Sequence, residues 1–389
     1  MKAATREYLK QQFSAYYAHA HLLVPPSLPE REWGFIFFDA AYPEIRMRRH
    51  VAFGSRTGLV EYIRNLVPAH VYYSSAYYRT PEASTMQEKG WAGADLIFDL
   101  DADHIVRGPY EVMLARVREE TEKLLMMLTE ELGFDPKLIE VVFSGGRGYH
   151  VHVRDIAVRG WGSAERRELI DYVCGIGIEP GIILHQAHSP SLRGWRRRYI
   201  AALLEYLTWL GGLPPEEAKS TLSMLPGIGE VSAGHFLQRW HVLMESLSRD
   251  QVQAYLGDQV IMKVLRALGN EKESGLTRRL QESAARADEP VTTDTKRLIR
   301  MPGSLHGGSG FRVTPLSSRE LHDFDPLLDA VVFGERGMQI DLAVPVTTPL
   351  LGNIYRLEKG VQTVPEAVAV FLCCRGMAEI AEAGAHGPA

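Results

Sequence analysis

Two carboxylates one residue apart close an apolar run in this chain, Ala94-Asp95-Leu96-Ile97-Phe98-Asp99-Leu100-Asp101-Ala102-Asp103. On an extended strand successive side chains alternate, so Asp99 and Asp101 share a face about 7 Å apart. Two carboxylates that close repel unless a cation lies between them. Hard oxygen donors suit Mg2+ or Mn2+, with substrate phosphates completing the shell. Two such ions would activate a 3′-hydroxyl and stabilise a leaving pyrophosphate. Nucleotidyl transfer of that kind asks mostly positioning and charge of the protein. Holding both ions takes a third acid, and Asp288 and Asp294 are the candidates.

A second stretch supplies what an anionic substrate needs. Ser144-Gly145-Gly146-Arg147-Gly148 is a glycine loop, and Tyr149-His150-Val151-His152-Val153-Arg154 follows as an alternating strand. Glycines let backbone N–H groups approach an anion, and Arg147, His150 and His152 add charge and donors. His150 and His152 as metal ligands lack a third histidine nearby, and anion binding also accounts for Arg147. A similar arrangement recurs downstream, where Lys296-Arg297-Leu298-Ile299-Arg300-Met301-Pro302-Gly303-Ser304-Leu305-His306-Gly307-Gly308-Ser309-Gly310 runs from a basic strand into a Ser, His and glycine loop.

The elements that must position these groups follow from periodicity. A helix is expected over Thr5–Ala20, strands over Trp33–Phe38 and Ile45–Phe53 around a turn at Ala41-Tyr42-Pro43, and a helix over Gly58–Val67. Val71–Tyr78 is strand-like, Leu96–Leu100 is a short strand, Glu111–Leu132 a long helix, and Val141–Val153 carries the first glycine loop. From 163 to 285 the pattern turns helical. Strand character returns at Leu298-Ile299-Arg300 and Phe311-Arg312-Val313, and a last helix spans Pro365–Ala383. The fold class is α/β, a mixed sheet flanked by helices. Three segments result: 1–162 and 286–389 as the two parts of the core, and 163–285 as a helical insertion.

With a net charge of −5, the chain is not a generally basic nucleic-acid coat, so any nucleic-acid site must be a local patch. Three cysteines without a CxxC pair support neither a disulfide framework nor a cysteine zinc site. The N-terminal residues lack the apolar core of a signal peptide, and no run is long enough to cross a bilayer. A cytoplasmic protein is expected.

In order, spacing and length, these motifs resemble the catalytic (small) subunit of archaeal and eukaryotic-type DNA primase. Phe98–Asp103, Ser144–His150, and Asp288 followed by Arg297–Gly307 carry the likeness. It extends to Arg49–Phe53, Tyr72–Tyr78 and Val364–Ala378, and leaves the helical middle weakly matched. The resemblance implies a primase-type core that makes short RNA primers, and DNA primers too, from NTPs and dNTPs on single-stranded DNA by two-metal transfer. Asp99, Asp101 and Asp288 would bind both ions; Asp288 is preferred to Asp294 because the family's third acid sits well upstream of the motif histidine. Ser144, Arg147, His150 and His306 would hold the triphosphate, with Arg300 and Arg49 toward the nucleotide. The implied partner is a large iron–sulfur subunit in a heterodimer. Two departures stand out. Gly308 replaces a lysine common in relatives, leaving backbone or Arg312 to contact phosphate. The segment after Asp103 has no Cys/His knuckle, so no structural zinc is expected.

Other readings compete. A stand-alone primase-polymerase or repair polymerase shares the same core. A non-enzymatic nucleic-acid-binding subunit would carry vestigial acids. Phe98–Asp101 also resembles the start of a haloacid-dehalogenase-type phosphatase, but that reading has no place for the histidine strand. Met224–Ala233 resembles a helix-hairpin-helix turn, or is a Pro-Gly turn between packed helices. Tyr72, Tyr73, Tyr77 and Tyr78 could stack bases or fill a core.

Overall fold

The computed structural model describes residues 1–38, 47–105, 107–179, 182–183, 194–249, 257–271 and 274–381. The expected turn at Ala41–Pro43 and Arg46 lie outside the described residues. By its contacts the chain divides into two compact units. One comprises 1–122, 134–167 and 287–389; the other comprises 123–133 and 168–286.

The first unit is built on two four-stranded sheets. Strands β1 (Trp33–Phe37), β2 (Arg48–Val51), β3 (Pro68–Ser74) and β9 (Leu298–Arg300) form one, in the order β2-β1-β3-β9. Strands β6 (Leu96–Asp101), β7 (Ile139–Phe143), β8 (Gly148–Val153) and β10 (Thr314–Leu316) form the other, in the order β10-β7-β8-β6. Every pairing described is antiparallel. This corrects the single mixed sheet expected from sequence. Helix and sheet do mix, but the acids stand on one sheet and the Arg300 strand on the other.

The expected strand Val71–Tyr78 breaks in two for a visible reason. Ser75 turns the chain out of β3: its N–H donates to the Arg297 carbonyl and its own carbonyl accepts from Asp95. The buried guanidinium of Arg31 gathers the carbonyls of Ser74 and Ser75 at 2.9 and 2.7 Å and the Asp95 carboxylate at 2.7 Å. Strand β4 (Ala76–Tyr78) then pairs with β5 (Trp91–Ala94). A buried guanidinium needs acceptors for its donors, and Arg31 Nε also donates to the Pro26 carbonyl at 3.3 Å.

The chain termini of this unit differ from expectation as well. The segment Phe311–Val313 is not a regular strand; it is held by one bridge between Leu305 and Arg312. The last helix is Glu366–Cys374, and Gly376 (φ +69°) releases the chain into β15 (Ala378–Ile380). Strand β15 pairs with β11 (Gly337–Leu342), which also pairs with β14 (Gly360–Pro365); β12 (Val346–Leu350) and β13 (Asn353–Leu357) form a separate hairpin. The N-terminal helix Ala3–His19 buries Leu9, Phe13 and Tyr17.

The second unit is helical: Ser163–Cys174 leads into it, followed by Trp195–Gly211, Pro215–Ser223, Glu230–Ser248, Gln259–Asn270 and Gly275–Ser283. Pro226–Gly229 turns between two of these helices with Gly227 at φ +77°, and Lys219 pairs with Glu230 across it at 2.9 Å. The long helix Tyr110–Met126 ends in a π-type turn, Met127–Glu131, so it stops short of the expected Leu132 as a regular α-helix. Among the described residues no helix is long and apolar enough to cross a membrane.

Candidate active site

Strand register assembles the site. Strands β6 and β8 run antiparallel with Asp99 opposite His150 and Asp101 opposite Gly148. Leu96, Phe98 and Leu100 are buried while Asp99 and Asp101 are partly exposed, as their alternation requires. Asp288 reaches them from far along the chain: its backbone N–H donates to the Asp99 carbonyl at 2.8 Å, and it caps the short helix Glu289–Thr293. Asp294 does not arrive there; its carboxylate accepts from the Lys296 N–H at 2.9 Å.

The three acids act on one another. Burial, then Asp101, then Asp288 push the Asp99 carboxyl up to about 7 from 3.8, against the pull of Arg297 and Arg300. A site that already makes one carboxylate reluctant to ionise concentrates negative charge that a cation would relieve. The donors are all carboxylate oxygens, which fits a hard divalent ion. Among the described residues no three such side chains converge tightly enough to enclose a metal, so the shell would stay open to phosphate and water.

The two glycine loops meet. Gly145 has φ +76°, and a Cβ there would lie 2.6 Å from His306 Cβ. Ser309 Oγ donates to the Gly145 carbonyl, and Tyr110 Oη donates to that of Gly146. Ser144 Oγ accepts from the Gly146 N–H at 3.2 Å, leaving its own proton to donate. The His306 ring is fixed by hydrogen bonding: Nδ1 accepts the Gly308 N–H at 3.1 Å, so the ring proton belongs on Nε2. That Nε2 edge faces Gly146, 3.3 Å from where its Cβ would be. Gly308 therefore contributes a backbone hydrogen bond inward. Arg312 is turned away, donating to the Asp329 carbonyl at 3.1 Å.

Charge is distributed differently from the sequence expectation. His150 is pushed down to about 3 by burial, then by Arg300 and Arg297. His306 falls well below its ordinary value through burial, Arg300, His70, Arg147 and His150. Both are neutral donors or acceptors at pH 7. His150 Nε2 lies 3.6 Å from Asp99. His152 leaves the site altogether: it is fully buried against Tyr73, and neither ring nitrogen has a partner. The side of β8 that carries His150 and His152 is therefore interior, since every residue of the strand is buried and both its faces are packed. Positive charge comes from arginines. Arg147 forms an ion pair with Asp103. Arg300 stands opposite Tyr72 on β3, its guanidinium 5.0 Å from the ring centre. Arg49 is gripped by buried Glu32 at 3.0 and 3.3 Å, so any ligand must share it with that carboxylate. Tyr73, Tyr77 and Tyr78 are core residues; Tyr72 is half-buried under Arg300.

Four participants escaped the sequence reading. Arg297 acts on Asp99 and His150. Asp103 holds Arg147. Ser309 and His70 brace the second loop, His70 accepting from Gly307 and Arg300. For His70 and Tyr72 a signal existed: they alternate with the apolar Ala69, Val71 and Tyr73, which marks a strand face turned toward something polar.

Comparison with known proteins identifies the family. The family described as DNA primase small subunit matches residues 98–318, which span all three acids and both loops. "DNA primase small subunit PriS" of Methanoregula boonei is 59% identical over 98% of this chain and 100% of its own length. That of Methanosphaerula palustris is 56% identical over 98% and 100%, and that of Methanothrix thermoacetophila 42% over 98% and 100%. Proteins of this family are nucleotidyltransferases that synthesise RNA primers for DNA replication. The chain belongs to the DNA primase small-subunit family.

Proposed function

We propose that Asp99, Asp101 and Asp288 hold two divalent ions, Mg2+ or Mn2+, and that the loops at 144–148 and 304–308 hold the triphosphate of an incoming nucleotide. The observation that carries this reading is the Asp288 N–H bonded to the Asp99 carbonyl. It joins a third carboxylate to the strand that ends in two others, and all three charges meet on Asp99. When bound, the ions would acidify a primer 3′-hydroxyl and offset charge on the leaving pyrophosphate.

The chain's own residues bind and orient. Arg147 exchanges Asp103 for phosphate. Ser144 Oγ–H and His306 Nε2–H donate to phosphate oxygens without adding charge. Arg300 offsets charge beside the acids. His150, neutral at Asp99, keeps that wall free of a competing cation. The 3′-oxygen attacks the α-phosphorus in line while the bond to the bridging oxygen breaks and pyrophosphate leaves. Arg49 serves the nucleotide through the share of its guanidinium that Glu32 does not take.

The same reading makes 1–162 and 286–389 the catalytic core and 163–285 a helical insertion. It takes single-stranded DNA as template, NTPs and dNTPs as substrates, and a large primase subunit as partner, acting in the cytoplasm where the DNA is replicated. A stand-alone primase-polymerase of the same superfamily would work without that subunit, so copurification separates the two. The test is primer synthesis on single-stranded DNA by the complex, with each nucleotide type and each ion. A metal-dependent product is expected; no product with either ion, the partner present, would sink the proposal.

A further inference from the structure

One half-buried histidine touches both Arg300 and the second loop assigned to the triphosphate, yet belongs to neither motif. His70 lies on β3, two residues before Tyr72, whose strand partner is Arg300. Its Nδ1 is 2.6 Å from Arg300 Nη1 and 3.3 Å from the Gly307 amide nitrogen. An arginine and a peptide amide can only donate. Both contacts therefore need the lone pair on Nδ1, which fixes His70 as the neutral ring with its proton on Nε2. Burial, then Arg300, holds its pKa down to about 3, in keeping with that state.

The loop is pressed onto this ring. A Cβ at Gly307 would lie 2.8 Å from His70 Nε2 and 3.0 Å from Ala69 Cβ, so only glycine lets the loop come so close. The ring also stands edge-on to His306, with centroids 5.0 Å apart and planes at 90°. Tyr72 also lies along it, with centroids 6.0 Å apart. One nitrogen thus sets the guanidinium of Arg300 and the backbone of the loop carrying His306. A long arginine is otherwise free to rotate over several rotamers, and a glycine loop to shift.

We propose that His70 is a positioning residue for nucleotide binding: its Nδ1 fixes Arg300 and the 306–308 loop in the geometry that receives a triphosphate. The inference rests on the reading that the loop carrying His306 holds that group and that Arg300 lies toward the nucleotide. His70 need not touch substrate. Its contribution is made in the free protein, so it appears in nucleotide binding more than in the chemical step.

Three substitutions separate an acceptor from mere filling of space. His70→Phe keeps a ring and removes the acceptor. His70→Asn can return an amide oxygen to the place of Nδ1, whereas His70→Gln reaches past it toward the place of Nε2. Primer synthesis is measured across NTP concentration with the complex, and melting temperature with each variant. His70→Phe and His70→Gln are expected to raise the NTP KM about tenfold, the scale of one charge-assisted hydrogen bond, with kcat within about threefold. His70→Asn is expected to stay within about threefold of wild type in both. If His70→Phe does not fold, the Asn and Gln pair carries the comparison.

Arg300→Ala serves as the reference. A raised KM in Arg300→Ala, with little further change on adding His70→Phe, is the result expected of a group acting through Arg300. A raised KM in Arg300→Ala with all three His70 variants alike would overturn the inference and leave the triphosphate reading standing. An unchanged KM in Arg300→Ala would overturn both the placing of Arg300 toward the nucleotide and the inference built on it.

Discussion

Asp99→Asn removes one charge from the acid cluster while nearly preserving shape. In the metal-free protein that charge is a burden. Burial, Asp101 and Asp288 raise the Asp99 carboxyl from 3.8 to about 7. A shift of about three units corresponds to a ceiling of about 4 kcal/mol against folding at pH 8. The side chain is partly open to solvent, so about 1–3 kcal/mol is the working expectation. The sign follows from proton binding. Between pH 4 and about 7 the folded state holds a proton on Asp99 that the unfolded state has released. The stability from this group is therefore full at low pH and lost as pH rises through about 7. In EDTA, Asp99→Asn should melt slightly above wild type at pH 5 and several degrees above it at pH 8. Added Mg2+ or Mn2+ should raise the melting temperature of wild type and leave the variant nearly unmoved, by linkage. Scanning calorimetry at both pH values, with and without ion, reads all four cases. A variant less stable than wild type at pH 8 in EDTA would refute the reasoning, as would a difference that does not grow between pH 5 and pH 8.

Two further outcomes follow from the same geometry. Asp103→Asn frees Arg147 from its carboxylate. The pair is solvent-exposed and worth at most about 1 kcal/mol, so the NTP KM should fall by up to about fivefold at low salt and by less at high salt; a rise in KM would show that Asp103 serves binding directly. His152 is buried with both nitrogens unpartnered and held neutral, mainly by desolvation. Its contribution to stability is present above about 6.5 and declines as pH falls below that value, by up to about 1.4 kcal/mol per pH unit. His152→Phe should therefore be at least as stable as wild type at pH 7.5 and visibly less sensitive to acid. Chemical denaturation at pH 7.5 and pH 5.5 checks this, and equal acid sensitivity would count against it.

The chemistry was more legible in the sequence than the architecture. Alternation around Asp99 and Asp101 encodes a half-buried strand, and the positive φ of Gly145 is why a glycine stands there. Strand partners are not encoded by period: nothing in β6 or β8 names the other, and the break at Ser75, where Arg31 bonds the Ser74 and Ser75 carbonyls, puts β3 and β4 in different sheets. Charge state was misread for a related reason. A histidine on a strand looks basic until both faces of its sheet are covered, and desolvation then keeps His150 and His152 neutral. His70 lies just before the strand expected at Val71–Tyr78, which in the structure begins at Pro68, so its alternation with Tyr72 falls outside that expectation. Arg147 and Arg49 were recognisable as cations, but not the carboxylates, Asp103 and Glu32, that hold them in the free protein.

The central claim is that Asp288 completes a carboxylate triad with Asp99 and Asp101, and Asp294 does not. The most direct measurement is template-dependent incorporation of labelled NTP on single-stranded DNA by the complex, comparing wild type with Asp288→Asn and Asp294→Asn at matched folding and matched Mg2+ or Mn2+. The account predicts at least a roughly hundredfold loss of rate for Asp288→Asn, the scale of losing a group that stabilises charge in the transition state, and activity within about threefold of wild type for Asp294→Asn. Full activity in Asp288→Asn, or its loss in Asp294→Asn alone, would contradict it.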